Sequence, residues 1–406
     1  MDDKTRNFVL QHRTDDVRQL ALKGGEESID MPFVLDQIRG WQVARNKIPS
    51  WATLDDIIYP PHLSMEQCSS ETTALYKASL TGEGTRYIDL TGGMGVDFYF
   101  MARPFRERVY VERNAELCHI AEQNFRTLGL DATVVNADAE SYLQEISAAD
   151  VVFLDPARRD SHGGRTYAIN DCTPDVLQLL PMLKQKARRI ILKLSPMLDW
   201  HKALDDLGTT VSEVHIVSVG NECKELLFVL GRVVTEEVSL FCINDEQRFE
   251  VTLEHSNPRE PRTSRTSPPS YLYEPNASIM KAGCFRQLSE HYGIEAISPN
   301  SHLFLADCLI EDFPGRAFSI IAISPMSKQA LRQNLQGIKQ ANIAVRNFPE
   351  SVATLRKRLK IADGGDTFIF ATTLGNGEHR LVVCKKEQGA RSKERKNLNK
   401  FGFSPS

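Results

Sequence analysis

Five short apolar runs punctuate the middle of the chain, and each stops at an acidic or turn-forming residue. They are Arg86–Asp89, Val109–Val111 ending in Glu112, Leu130–Val135 closed by Asn136-Ala137-Asp138, Asp150–Leu154 closed by Asp155-Pro156, and Arg189–Leu194 closed by Ser195-Pro196. Runs without polar alternation, separated by helix-length segments, predict parallel strands covered on both faces by helices. Glu213–Val219 and Leu226–Val234 then predict an antiparallel hairpin. Upstream, the first 80 or so residues read mainly as helix. Pro32–Ala44 has apolar residues at helical spacing, and Leu63–Lys77 predicts a helix running towards the sheet. Its segment Gln67–Ser70 either lines a pocket or supplies a cap from Ser69 or Ser70.

The polar stretch Val251–Pro269, rich in Pro, Arg and Ser, reads as a boundary or mobile loop. Beyond it the pattern gives a strand at Phe318–Ser324, a helix at Ser327–Gly337, a strand at Asn342–Phe348 and a helix at Ser351–Ile361. Thr367–Thr373 and His379–Lys385 close as a hairpin. That order, β-α-β-α-β-β, is a compact α/β sandwich. The expected division of the chain is a helical region at 1–80, the parallel-sheet domain at 81–235, a linker with a small segment at 236–325 and a basic module at 326–406.

The first strand carries the chemistry. Asp89 ends it, and Leu90-Thr91-Gly92-Gly93-Met94-Gly95 leads at once into an apolar helix start. A loop without side chains lets backbone approach a nucleoside closely. Glu112 ends the next strand 19 residues after Gly93, where an acid can accept from both ribose hydroxyls. A dinucleotide loop needs a third small residue at 98, but the chain has Phe98. Asp89 and Asp97 would also repel a pyrophosphate, whereas an ammonium group would welcome them. No G-x-x-x-x-G-K-[ST] motif is present. Strand-end acids at 89, 112, 138 and 155 complete the pattern.

Together these features resemble the class I S-adenosylmethionine-dependent methyltransferases, over roughly Ser70–Leu230. The strings Leu63-Ser-Met-Glu-Gln-Cys-Ser-Ser-Glu-Thr72, Asp89-Leu-Thr-Gly-Gly-Met-Gly-Val-Asp97, Leu154-Asp-Pro-Ala-Arg-Arg159 and Tyr271-Leu-Tyr-Glu-Pro-Asn-Ala-Ser-Ile-Met-Lys-Ala-Gly283 narrow the likeness. They resemble the bacterial THUMP-like-domain class I methyltransferases, taken to act on RNA. The resemblance implies an N-terminal helical region, a Rossmann-like α/β catalytic domain, a small ferredoxin-like segment and a C-terminal α+β THUMP-like module that contacts RNA, tRNA or rRNA. It places the cofactor S-adenosyl-L-methionine on Asp89, Thr91, Gly92, Gly93, Gly95 and Asp97, with Glu112 on the ribose and Asp138 and Ala139 near adenine. Thr91 stands where many relatives carry glycine.

On the acceptor side, relatives that methylate amino groups show [DNS]-P-P-[YFW]. Asp155 and Pro156 match it, whereas Ala157 and Arg158 depart from it, which puts an exocyclic nitrogen target in doubt. An arginine can stack on a base or pair with phosphate. Methyl transfer from sulfur is an in-line displacement that needs alignment and dryness, and no metal is expected. Cys172 and Cys223, the latter better placed, are nucleophile candidates for carbon methylation or else buried thiols. Lys193 and Ser195 are set either to touch substrate or to pack. Tyr271, Tyr273 and Glu274 form a stacking wall or an ordinary core pair, and the second reading is slightly favoured.

Charge sharpens the partner. From Ser327 to Ser406 there are 16 Lys and Arg against 6 Asp and Glu, a charge of +10, so with a net charge of −4 the remainder carries −14. An acidic body with a basic tail suits nucleic acid at the tail. Arg356, Lys357, Arg358 and Lys360 are the candidate RNA contacts on the last helix. Eight scattered cysteines without C-x-x-C, no apolar run of membrane length and a polar start point to a reducing, cytoplasmic setting. The rival readings are a small-molecule or protein methyltransferase and a catalytically inactive RNA-binding protein.

Overall fold

A computed structural model describes residues 1–23, 29–158, 169–253 and 269–387, with Lys23 and Arg158 described in their backbone only. The chain divides into two units. The first holds residues 1–217 and 224–240, and the second holds 218–223 and 241 onwards.

The first unit is built on seven strands. They are β1 (Arg86–Asp89), β2 (Glu107–Glu112), β3 (Thr133–Asn136), β4 (Ala149–Leu154), β5 (Ala187–Leu194), β6 (Val211–Val219) and β7 (Glu222–Gly231). Their order across the sheet is β6-β7-β5-β4-β1-β2-β3. The five expected parallel strands are present, with β1 parallel to β2 and β4, β2 to β3, and β4 to β5; β7 runs antiparallel to β5. Two boundaries differ from expectation. The third strand begins at Thr133, because Gly129 turns with φ +67° and Leu130 is used as a buried plug. The last ends at Gly231, since Val233 and Val234 are exposed to solvent.

Strand order reverses between β1 and β4, so their carboxyl ends splay apart and leave a crevice there. On one face of the sheet, Tyr87, Phe98, Phe105, Tyr110, Phe125 and Phe153 form an aromatic core. Phe98 is fully buried in it, 4.9 Å from the Phe125 ring and 5.5 Å from Tyr110. The bulky residue at 98 thus serves core packing.

The N-terminal region is helical as expected. It comprises α1 (Asp3–His12), α2 (Val17–Lys23), α3 (Met31–Lys47), α4 (Pro49–Ala52), α5 (His62–Gln67) and α6 (Glu71–Ser79). Asp30 caps α3 by accepting from the Phe33 amide, and Pro32 pre-sets the first turn. The helix expected over 63–77 is two helices: Ser70 caps α6 through the Thr73 amide, and Cys68–Ser70 turns between them. Trp51, Tyr59, Met65 and Ala74 pack with Met94, Val96 and Phe100, so this region seals one flank of the glycine loop. The loop opens into α7 (Val96–Ala102). Helices α8 (Ala115–Thr127), α9 (Ala139–Glu145), α10 (Val176–Lys186) and α11 (Trp200–Leu207) complete the unit.

The second unit contains a feature the polarity pattern hides. β8 (Val238–Asn244) and β9 (Gln247–Leu253) are successive strands where the sequence reads as linker, joined by a tight turn at Asp245 with φ +53°. The rest of the Pro/Ser-rich stretch, 254–268, lies outside the described residues. A seven-stranded sheet follows. Its strands are β10 (Tyr271–Pro275), β11 (Glu295–Ala296), β12 (Phe304–Ala306), β13 (Gly315–Pro325), β14 (Asn342–Arg346), β15 (Thr367–Thr373) and β16 (His379–Lys386). The order is β11-β12-β10-β13-β16-β15-β14, antiparallel except for β14 and β15. β13 is central, pairing with β10 on one side and β16 on the other. Helices α12 (Ala277–Ala282) and α13 (Phe285–Tyr292) follow β10, while α14 (Lys328–Asn334) and α15 (Val352–Leu359) flank β14. Leu331, Leu335, Leu355 and Leu359 bury one face. The strand and helix order expected beyond 315 is that of the structure.

Candidate cofactor and acceptor cleft

At the carboxyl ends of β1, β2, β4 and β5 lies a cleft of about 770 Å³. Asp89, Glu112, Asp138, Asp155, Lys193 and the whole glycine loop line it, together with Gln67, Cys68 and Ser69.

The loop is held from below. The Tyr110 ring lies under Gly92, where a Cβ would meet it at 2.1 Å, and its hydroxyl donates to the Gly93 carbonyl. Gly95 adopts φ +85° at the entry to α7, a conformation that excludes ordinary side chains. The Glu112 carboxylate accepts from the Gly93 amide at 2.9 Å and from the Asn114 amide at 2.8 Å. This fixes the carboxylate at the rim of the loop.

Asp89 is fully buried. One oxygen accepts from the Thr91 amide at 2.9 Å, and the other has no hydrogen-bond partner. Burial pushes its carboxyl well above the usual range, with the charges of Asp97, Asp155 and Glu112 adding to the effect. An unpaired buried acid is expensive unless something cationic or proton-donating completes it.

Asp97, expected to face a ligand's ammonium, is instead met by the protein's own lysines. Lys77 Nζ lies 3.2 Å away and Lys193 Nζ 3.9 Å, and Ser69 Oγ donates at 2.7 Å. Burial works to raise its carboxyl, but the two ammonium groups prevail and hold it below the ordinary range. Both readings of the Ser69–Ser70 segment therefore apply, one to each residue: Ser70 caps a helix and Ser69 faces the cleft.

Asp138 lines the cleft next to buried Ala139, but its oxygens already serve as the cap of α9. They accept from the Ser141 amide and hydroxyl at 2.8 and 2.9 Å, and these bonds lower its carboxyl. Asp155 is held at two points: its amide donates to Thr91 Oγ1 at 2.6 Å, and Oδ2 accepts from Lys193 Nζ. Pro156 and Ala157 also line the cleft. Ala157–Arg158 pairs antiparallel with Cys172–Thr173. The Arg158 side chain lies outside the described residues. Of the two candidate cysteines, buried Cys172 lines the cleft, whereas Cys223 is assigned to the second unit. Ser195 lines the cleft beside Lys193.

The sequence reading missed Lys77 and Glu225. Lys77 is wholly buried on α6, and both Glu225 oxygens lie 2.7 Å from its Nζ. The file Glu225–Lys77–Asp97–Lys193–Asp155 therefore alternates in sign from interior to cleft. A signal existed: Lys77 follows Ala74 on the inward face of its helix, and Glu225 opens the run Leu226-Leu-Phe-Val-Leu230.

In the second unit, Tyr273 is buried and its hydroxyl accepts from the Ile310 amide and donates to the Cys308 carbonyl, the ordinary core role. Glu274 is buried between Arg316 and Arg346. On α15 the expected exposed cation face is partly spent. Arg356 pairs with Asp363, Arg358 pairs with Glu350, and Lys360 is the left-handed cap at φ +57° rather than a helical residue. Lys357 is exposed. Among the described residues no helix is long and apolar enough to cross a membrane, and no group of acids, cysteines and histidines is arranged to hold a metal.

Residues 315–386 match a family described as THUMP domain-like, and residues 271–314 match a ferredoxin-like domain. A crystal structure from Porphyromonas gingivalis W83, provisionally assigned as a methyltransferase, is 33% identical, covers 96% of this chain and 100% of its own, and superposes with a TM-score of 0.85. Ribosomal RNA small subunit methyltransferase G of Methylorubrum extorquens is 27% identical over 132 residues, which is 31% of this chain and 58% of that protein. With the strand order, the glycine loop and the full-length likeness on hand, the chain belongs to the class I S-adenosylmethionine-dependent methyltransferases that carry a THUMP-like module.

Proposed function

We propose that the protein methylates a base in RNA, tRNA or rRNA, using S-adenosylmethionine. The observation that carries this reading is Asp155, a carboxylate partly open to the cleft at the point where strand order reverses, beside the glycine loop. The likeness to a ribosomal RNA methyltransferase, the THUMP domain-like match and the basic tail support RNA as acceptor. In this reading residues 236–325 are a linker and the small ferredoxin-like segment, and residues 326–406 are the basic THUMP-like module that binds RNA.

The cleft fits the cofactor. Asp89 offers an unpartnered carboxyl oxygen, Gly92 and Gly93 admit close approach of the loop backbone, and Glu112 presents a fixed carboxylate for hydroxyl donors. When bound, S-adenosylmethionine supplies a methyl group on a cationic sulfur. Asp155 accepts a hydrogen bond from the acceptor group and takes up the proton it sheds. Pro156 and the glycine loop line the cleft around the acceptor position. Thr91 joins the two sides, bonding Asp89 through its amide and Asp155 through its hydroxyl. If the target base lies in a duplex, it must first be extruded.

The test uses the full chain with methyl-labelled cofactor and total RNA from a strain lacking the gene. Label in RNA, traced by nucleoside mass spectrometry to one modified base absent from that strain, is the expected result. Cofactor binding with no label in any RNA would reject RNA as acceptor.

A further inference from the structure

Lys193 stands where no substrate-binding pattern requires a cation. It is the penultimate residue of β5, and the register Leu154↔Leu192 sets it beside Asp155, the residue after β4. Its side chain is 13% exposed and that of Asp155 35%. The ammonium donates to Asp155 Oδ2 and lies 3.9 Å from Asp97 Oδ2. Burial alone would lower its affinity for a proton, but Asp155 and Asp97 together raise it, so Lys193 stays charged. A buried ammonium is costly to keep, and packing alone would favour an apolar residue there. Behind it the file is closed: Asp97 is also held by Lys77 and Ser69, and Lys77 by Glu225. Lys193 is therefore pinned, and what it pins in turn is the rotamer of Asp155.

The backbone of Asp155 is tied separately, through its amide to Thr91 Oγ1. With one carboxylate oxygen given to Lys193, the acid is left to accept from a group that carries an N–H or O–H. Asp97 sits in the first turn of α7, which springs from the glycine loop. One ammonium thus spans the acceptor-side acid and the helix that carries the cofactor loop.

We propose that Lys193 is a positioning residue for methyl transfer, holding Asp155 oriented towards an uncharged, hydrogen-bond-donating acceptor. This rests on the acceptor role given to Asp155 above. The experiment compares Lys193→Met, Lys193→Arg, Asp155→Asn and the Lys193→Met/Asp155→Asn pair with the wild type. Calorimetry reads cofactor affinity, and saturating labelled cofactor with RNA from the deletion strain reads kcat.

Lys193→Met should lower kcat about 100-fold, the scale of a misaligned acid–base group, with cofactor Kd within about threefold of wild type. Lys193→Arg should recover most of the loss. The pair should be no more than about twofold slower than Asp155→Asn alone, because both changes remove one interaction. A Lys193→Met enzyme within twofold of wild type would overturn the proposal, as would additive losses or a loss carried entirely by cofactor affinity. A second readout needs no acceptor: thermal unfolding of the four proteins should show non-additive shifts between positions 193 and 155. Independent shifts would refute the contact. Wild-type protein that binds cofactor but labels no RNA refutes the RNA reading instead, and the unfolding cycle still decides whether Lys193 holds Asp155.

Discussion

Each unit buries carboxylate charge among cations, and the two solutions differ in kind. In the first, lysines act as single points along a file whose outer acid, Asp155, is open to a cleft. In the second, Glu274 is 4% exposed and is gripped from two sides: Arg316 donates through Nε at 2.8 Å and through Nη2, and Arg346 donates at 2.6 Å. Arginine forks lock a carboxylate in place and leave it little to offer a ligand. The Lys193 ammonium holds one oxygen of Asp155 and leaves the other for a further partner. The arginine cluster is a brace across strands β10, β13 and β14, whereas the lysine file presents an acid for use. Burial of charge alone does not mark a functional site; the outlet does.

The sharpest way to break this contrast is Asp155→Ala. It should cut transfer by about 10³-fold or more while cofactor affinity stays near normal, and labelled-cofactor turnover with calorimetry checks both. Glu274→Ala should do the reverse. Removing a buried acid between two arginines should cost about 3 kcal/mol in denaturant unfolding, towards the low end for broken buried pairs because both guanidiniums can rehydrate, with no change in cofactor affinity. Glu112→Ala should weaken cofactor binding by about 1–3 kcal/mol, the scale of charge-assisted hydrogen bonds, and unchanged calorimetric affinity would remove its ribose role.

Asp89→Asn tests the orphaned acid. Burial raises its carboxyl in the folded state, so its contribution to stability is present at low pH and is lost as pH rises from the unfolded carboxylate range towards the folded value. The asparagine variant without cofactor should therefore melt higher than wild type at neutral pH and match it more closely in acid. Wild-type cofactor affinity should weaken as pH falls and Asp89 takes a proton, and the asparagine variant should lack that acid limb in calorimetry across pH. The smallest effect belongs to Lys357→Ala: slightly weaker RNA binding, with the salt slope reduced by about 1 in a titrated gel shift.

Much of this was legible in the sequence. Parallel strands buried on both faces leave unbroken apolar runs, which is why β1, β2, β4 and β5 could be placed to within a few residues. The glycine loop and the acids at strand ends are local in sequence, so the cleft could be outlined. What escaped depends on distance or on a cap. Lys77 and Glu225 meet across 148 positions, and no local pattern pairs them. The break between α5 and α6 turns on Ser70, a residue equally at home inside an amphipathic run. The β8–β9 strands border a polar stretch, and their alternation was absorbed into an apparent linker. The protein partners of Asp97 and Asp138 also escaped, because spacing reports where a carboxylate sits but not what it already bonds.

The contact between Gly92 and the Tyr110 ring has a consequence for how this loop can vary. A methyl group at 92 collides with an aromatic ring that is itself wedged between Phe98 and Phe125. The demand for glycine here is thus imposed by the hydrophobic floor, independent of any ligand above it. Alanine at 92 becomes tolerable only where residue 110 shrinks, so across evolved or selected variants the two positions should change together.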